Sequence, residues 1–330
     1  MKTGPSSIER ILEAIDENQT FCIIGHQRPD GDCIGSQLGL TIALRNEGKE
    51  VSCWNKDPVP QKLKFLDGKK VVQRPKENEA FDCVICVDSA NPDQLGRTAE
   101  FVRERKMLIN IDHHSSNTRY GDINWISSRS PSTGEMIYRL MREGGWHITP
   151  RIADCLFTAM STDTGSFQNS NTQPETFTAA GDLLEKGADV SRISDEVYQS
   201  YPLSRVRLLK HVYNHFRLIE DNQIGYFWLK LGDFTRTGSD PTEVEGLIDH
   251  IRNIDDVVLA CMFEELEPNV TRISLRSKSK QINVAEVAKQ LGGGGHQALA
   301  GARMTGKPMT VQRKVIAALR KALKAADKKN

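Results

Sequence analysis

Four short clusters of acidic and imidazole side chains stand out in the first half of the chain. They are His26-Gln27-Arg28-Pro29-Asp30-Gly31-Asp32, Val87-Asp88-Ser89-Ala90-Asn91, Asp112-His113-His114 and Ser161-Thr162-Asp163-Thr164-Gly165. Many carboxylates and several imidazoles, with no thiolate, suit a hard-to-borderline divalent ion such as manganese or magnesium. Carboxylates gathered without cations repel one another and their pKa values rise; bound metal ions remove that penalty. There are more candidate ligands than one ion needs. That surplus favours a two-metal site, which can clamp the attacking and leaving oxygens of a phosphoryl group. Each cluster alone is ordinary: an Asp after a strand is most often a turn residue or helix cap, and Asp30-Gly31 by itself reads as a turn. Their joint occurrence after successive strand patterns carries the reading.

The elements that must position them follow from the apolar pattern. Strands are expected at Phe21-Cys22-Ile23-Ile24-Gly25-His26, Val51-Ser52-Cys53-Trp54, Asp82 to Val87 and Met107 to Ile111. Helical patterns cover Ile34 to Asn46, Ala99 to Arg105, Thr133 to Arg142, Pro150 to Met160 and Pro174 to Lys186. Strand, helix, strand at this spacing predicts an α/β fold, a parallel sheet with helices on both faces. The carboxyl ends of parallel strands share one edge, where ligands bind. His26, Asp88 and His113 each end or follow a strand, so they should converge there. Asp163 follows a helix and could fold back over that edge.

Residues 188–217 read as a polar, helical linker between a first domain over 1–187 and a smaller α/β domain over 218–330. In the latter, strands are expected over Gln223 to Leu231, Val257 to Glu264 and Val270 to Ser277, with helices over Glu243 to Asn253, Val284 to Gln290 and Val311 to Ala325.

Composition narrows the function classes. The chain has 330 residues, 38% hydrophobic and 26% charged, enough for about two packed domains. Lys+Arg is 44 against Asp+Glu 43, a net charge of +1. A near-neutral surface argues against coating long duplex nucleic acid, but leaves room for a local basic pocket. No apolar run reaches the roughly 18 residues of a membrane span, and the first residues lack the apolar core of a signal peptide. The 7 cysteines are scattered and odd in number, as expected of reduced thiols in a cytoplasm. Cys83 and Cys86 form a CxxC, but three positions along a strand put them on opposite faces. They read as buried small hydrophobes.

The motifs His26-x-x-x-Asp30-x-Asp32, Asp88, Asp112-His113-His114 and Ser161-Thr162-Asp163-Thr164-Gly165 resemble, in order, those of the DHH phosphoesterase family. The resemblance implies that His26 and Asp30 hold one metal ion, that Asp32, His113 and Asp163 hold the other, and that Asp88 bridges both. It further implies that His114 faces the substrate phosphate and that Asp112 mainly orients its neighbours. In the second half, Gly292-Gly293-Gly294-Gly295-His296 resembles the GGGH signature of the DHH-associated C-terminal domain. Bare amides at Gly293, Gly294 and Gly295 can approach an anion closely, and His296 can donate to a phosphate or stack on a base. Ser274-Leu275-Arg276-Ser277 is similar to the family strand whose Ser and Arg touch the substrate backbone, so Ser274 and Arg276 join the expected binding set. Two positions depart from the family pattern: Cys33 and Leu299 each stand where a small residue is common, and neither is an expected ligand.

Within the family, the chain is too short to carry the extra nucleic-acid-binding domains of the large exonucleases. It lacks the transmembrane segments of the membrane-bound cyclic-dinucleotide enzymes, and the pyrophosphatases lack the GGGH run. The remaining type is the compact oligoribonuclease (nanoRNase) and pAp phosphatase. The expected substrate is therefore a short single-stranded RNA or a mononucleotide bisphosphate, lying between the two lobes. The expected cofactor is a pair of divalent cations, manganese first, with magnesium or cobalt as alternatives. In the expected reaction an activated water attacks phosphorus in line, while His114, Arg276 and His296 take up charge on the phosphoryl oxygens. The alternatives are a linear or cyclic dinucleotide (pApA-type) phosphodiesterase, a non-catalytic nucleotide sensor and, remotely, a tRNA-editing protein. The resemblance also implies a homodimer.

Overall fold

The computed structural model describes residues 5–67, 70–76, 79–98, 100 and 105–327. Two compact units meet along the chain between Ser200 and Tyr201.

The first unit contains α1 (Ser7–Glu17), β1 (Thr20–Ile24), α2 (Gly31–Asn46), β2 (Glu50–Trp54), β3 (Val72–Gln73), β4 (Cys83–Val87), β5 (Met107–Asp112) and β6 (Ile123–Ile126). These are followed by α3 (Thr133–Glu143), α4 (Pro150–Asp163), α5 (Pro174–Glu185) and α6 (Val190–Ser194). Its sheet runs β3-β2-β1-β4-β5-β6, and every pair is parallel. The chain builds outward from β1 to β3, then returns to lay β4 on the other side of β1. This reversal makes a switch point between β1 and β4, the place where open parallel sheets bind ligands. The fold is the expected parallel α/β sheet. Three elements lie outside the sequence pattern, α1, β3 and β6. The first is started by a capping box in which Ser6 Oγ accepts from the Glu9 amide at 3.2 Å.

Residues on alternate sides of the strands enter different cores. Phe21, Ile23, Cys83, Ile85 and Val87 join the main cluster with α1 to α4, whereas Cys22, Ile24, Val84 and Cys86 join a smaller one with Trp54, Leu95 and Leu108. Cys83 and Cys86 thus sit on opposite faces. All the cysteines are buried and free, and burial pushes the thiols of both up to about 12. Among the described residues, helices cover only the main face. A 3-10 segment (Pro92–Thr98) carrying Leu95, with Phe81 and Tyr120, packs on the other. The helix expected over 99–105 falls largely outside the described residues.

Helix α2 is buried on nearly every side, because it lies between the sheet and α4. Contact with α4 requires glycine at position 35, where a Cβ would lie 2.3 Å from the Cys155 carbonyl oxygen. This packing fixes the N-terminus of α2, with Asp30 and Asp32, against the C-terminal end of α4, with Asp163.

Segment 188–217 is divided between the units. Ile193 of α6 and Val197 pack into the first core, while Leu208 and Val212 of α7 (Leu203–His215) pack into the second. The second unit continues with β7 (Arg217–Ile219), β8 (Ile224–Leu229), α8 (Leu231–Thr237), α9 (Leu247–Arg252), β9 (Leu259–Glu267) and β10 (Val270–Ser277). It ends with α10 (Val284–Gln290), β11 (Gly294–Gly295), β12 (Leu299–Thr305) and α11 (Pro308–Asp327). Its sheet runs β11-β12-β10-β9-β8-β7, antiparallel except for β8 beside β9. The helix expected over Glu243 to Asn253 is broken: a 3-10 turn (Pro241–Val244) precedes Gly246 at φ +76°, and only then does α9 begin. Along β10, Ile273 and Leu275 enter the core under α10 and α11, which leaves Arg272, Ser274 and Arg276 on the other face. Among the described residues, no helix is long and apolar enough to cross a membrane.

Candidate metal centre

The carboxyl rim of the first sheet gathers the four clusters. Asp88 follows β4 in the left-handed region, at φ +54°, while its amide still donates to the Ile111 carbonyl at 3.0 Å. Non-glycine residues held in this region cost roughly 1–3 kcal/mol and concentrate at functional sites. The turn sets the two Asp88 oxygens toward different histidines: Oδ2 is 3.4 Å from His26 Nε2 and Oδ1 is 3.6 Å from His113 Nε2. On one side, Asp30 Oδ1 is 3.7 Å from His26 Nε2. On the other, His113 Nε2 faces Asp163 Oδ2 at 3.5 Å and Asp32 Oδ2 at 3.8 Å. These separations exceed a hydrogen bond. They are near the roughly 3 Å expected between neighbouring ligands of one octahedral ion with bonds of about 2.1 Å.

Several ligand candidates are held by the backbone or a neighbour. Asp30 is the N-cap of α2 and accepts from the Cys33 amide at 3.1 Å, so the turn-residue reading and the ligand reading apply to the same side chain. Asp32 is buried and accepts from the amides of Thr133 and Gly134 at 2.7 and 2.8 Å and from Ser36 Oγ at 3.2 Å. The amides are the first orphan donors of α3, whose helix dipole favours a carboxylate there. Thr133 Oγ1 also donates to Asp88 Oδ1 at 3.1 Å. His114 Nδ1 lies 2.7 Å from Asp112 Oδ1, and Asn117 Nδ2 donates to Asp112 Oδ2 at 2.7 Å.

The electrostatics fit divalent cations. Burial, then the charges of Asp88 and Asp163, drives Asp32 well above the usual carboxylate range. Burial, then Asp30 and Asp88, does the same to Asp163. Burial works against ionisation of Asp88 too, but His26, His114 and His113 hold it below the usual range. Burial disfavours the charged form of His114, yet its bond to Asp112 and the charge of Asp88 push it up to about 10. A partly buried set of mutually repelling carboxylates interleaved with imidazole nitrogens is a donor set that dications stabilise.

Sequence reasoning missed Thr133, Gly134, Ser36 and Asn117. The N-cap signature Ser132 to Glu135 marks where α3 starts, but not which carboxylate its amides would meet. Cys33, set aside as a ligand, has its Sγ within 4.8 Å of donor atoms of His26 and Asp88.

The remaining site candidates lie in the second unit. Gly293 packs so close to β12 that a Cβ would lie 2.0 Å from the Gly301 carbonyl oxygen, and Gly295 sits at φ +142°. Two of the glycines therefore have a packing reason, whereas Gly294 faces open space. His296 is exposed in the turn that follows, where its amide donates to the Leu299 carbonyl at 2.6 Å. Ser274 pairs with Gly301 and Arg276 with Leu299 across β10 and β12. Arg276 Nε is 3.5 Å from Asp249 Oδ1 on α9.

The model of the DHH family N-terminal domain matches residues 20–160, and that of the DHHA1 domain matches residues 223–329. A relative in Thermus thermophilus, a bifunctional oligoribonuclease and PAP phosphatase NrnA, is 32% identical over 312 residues, covering 91% of this chain and 88% of its own. The chain belongs to the DHH family. A Bacillus subtilis protein of the same description is 29% identical over 297 residues, covering 88% of this DHH chain and 91% of its own. Among solved structures, an exopolyphosphatase-related protein from Bacteroides fragilis superposes with a TM-score of 0.88 at 26% identity, covering 97% of each chain. The DHH protein is a metal-dependent phosphoesterase, with its acidic and imidazole groups clustered at the rim of the DHH domain.

Proposed function

We propose that this phosphoesterase hydrolyses short oligoribonucleotides and pAp. The observation that carries the reading is the division of the two Asp88 oxygens between His26 and His113. His26, Asp30 and Asp88 would hold one divalent ion; Asp32, His113, Asp163 and Asp88 would hold the other. Oxygen-rich, imidazole-containing sets favour manganese, with magnesium or cobalt as substitutes. When bound, such ions neutralise phosphoryl charge and lower the pKa of water. The protein's own groups do the rest. His114, oriented by Asp112, donates to a phosphoryl oxygen, and the DHHA1 residues Arg276, Ser274, Gly293 to Gly295 and His296 grip the substrate backbone. The short substrate is supported by two relatives described as oligoribonucleases and PAP phosphatases, and by a net charge of only +1.

A substrate panel tests this: pAp, RNAs of two to five nucleotides, long RNA, cyclic dinucleotides and pyrophosphate, each with manganese. Release of phosphate from pAp and of mononucleotides from the short RNAs is expected, and Asp88→Ala should abolish both. Preference for pyrophosphate or cyclic dinucleotides would overturn the substrate assignment. An active Asp88→Ala protein would overturn the shared-carboxylate site.

A further inference from the structure

The second sheet carries an arginine pair that the proposed grip on substrate does not use. Arg272 of β10 and Arg303 of β12 are direct cross-strand partners. Like charges directly opposite on a sheet are destabilising. Among the described residues, only Arg272 of the pair has a carboxylate within ion-pair distance: its Nε lies 3.4 Å from buried Glu264. Arg303 is exposed, and the next two rungs on this face are Ser274 with Gly301 and Arg276 with Leu299. Two arginine rungs thus flank one that carries only a hydroxyl. Four residues of strand separate Arg272 from Arg276, about 13 Å. That is the reach of a short stretch of extended single strand. Leu299 is 46% exposed, an apolar surface beside Arg276 on which a base can lie.

We propose that Arg272 and Arg303 form a second phosphate-binding position, which holds RNA of three or more nucleotides and is out of reach of a dinucleotide. The inference rests on the proposed RNA substrate and deepens it. A phosphodiester lying between the two guanidinium groups relieves their repulsion and accepts hydrogen bonds from both. Position along the strand then becomes a length gauge: Arg276 serves every substrate, and the Arg272–Arg303 rung only the longer ones.

The test is binding of fluorescein-labelled rA2 and rA5 by anisotropy across a KCl series, with wild-type protein and with Arg303→Gln. Arg303 is exposed, so its replacement spares the core; Arg272→Gln would strand buried Glu264 and serves only as a second variant. Wild-type protein should show a steeper salt dependence for rA5 than for rA2. Arg303→Gln should weaken rA5 roughly tenfold, as expected for one lost charge-assisted contact. It should also flatten the slope of log K against log salt by about 0.7. Affinity for rA2 should not change. Unchanged rA5 binding in Arg303→Gln, or equal losses for both lengths, overturns the second position while leaving the substrate class intact. Failure of wild-type protein to bind either RNA overturns both.

Discussion

Asp112 holds His114 from behind: one carboxylate oxygen lies 2.7 Å from the imidazole Nδ1, and the other accepts from Asn117 Nδ2 at 2.7 Å. Asn117 Nδ2 also lies 2.8 Å from Asn110 Oδ1 and 3.1 Å from the Ser89 carbonyl, so one amide ties the ends of β4 and β5 to the carboxylate that orients the histidine. Replacing Asn117 by Ala should therefore disorder His114 without removing a metal donor. An outer partner of this kind is typically worth about 10–100-fold. We expect kcat to fall by that factor while manganese binding measured by calorimetry stays at the wild-type stoichiometry. Full activity in Asn117→Ala would show that Asp112 needs no such support.

The two sides of the rim should separate in a metal titration. Asp163 Oδ2 faces His113 Nε2 at 3.5 Å, so Asp163→Ala should empty the His113 side and leave the other. Calorimetric titration of manganese into wild-type protein should resolve two classes of site, and one should be missing in the variant. Retention of both classes in Asp163→Ala would remove Asp163 from the ligand set.

Helix packing makes a paired prediction about glycine. A Cβ at Gly35 would meet the Cys155 carbonyl at 2.3 Å, whereas one at Gly181, inside α5, would meet nothing within 4 Å. Gly35→Ala should overpack the α2–α4 contact and cost about 1–3 kcal/mol. Gly181→Ala should stabilise by about 0.5–1 kcal/mol, because glycine in a helix interior is unfavourable. Chemical denaturation of both variants decides the point; equal effects would contradict the packing described.

Asp82, just before β4, links three segments. It accepts from Lys106 Nζ at 2.7 Å, Thr20 Oγ1 at 2.8 Å and the amides of Thr20 and Gln19 at 3.0 and 3.3 Å. The lysine first, then these donors, holds its carboxyl well below the usual range. A depressed folded pKa contributes stability that is present above the unfolded value, about 3.9. It is lost as pH falls toward the folded value. Asp82→Asn should lower the urea midpoint at pH 7, and the gap to wild type should narrow steadily below pH 4. A gap independent of pH would mean that the carboxylate charge plays no part.

Much of the first sheet is legible because parallel strands buried on both faces read as short apolar runs ending in polar residues. Val84-Ile85-Cys86-Val87-Asp88 is such a run, and the chemistry sits at its end. The broken helix before Asn253 was less legible: Gly246 interrupts a continuous apolar period, and periodicity does not weigh a left-handed glycine. The support given to Asp32 was hidden altogether. Its amide donors belong to Thr133 and Gly134, about a hundred positions away, at the start of a helix with no chemistry of its own.

The sequence by itself determined which groups this chain can offer, because residue type sets donor chemistry and the alternation of strand and helix sends successive strand ends to a common edge. The family resemblance implied how those groups are shared, but only the tertiary structure decided the geometry that shares them. The turn at Asp88 divides one carboxylate between two histidines, and close packing of α2 on α4 brings Asp32 and Asp163 to the same imidazole. Such distances of a few ångströms depend on backbone twist and side-chain packing between segments far apart in the chain, which no local pattern encodes.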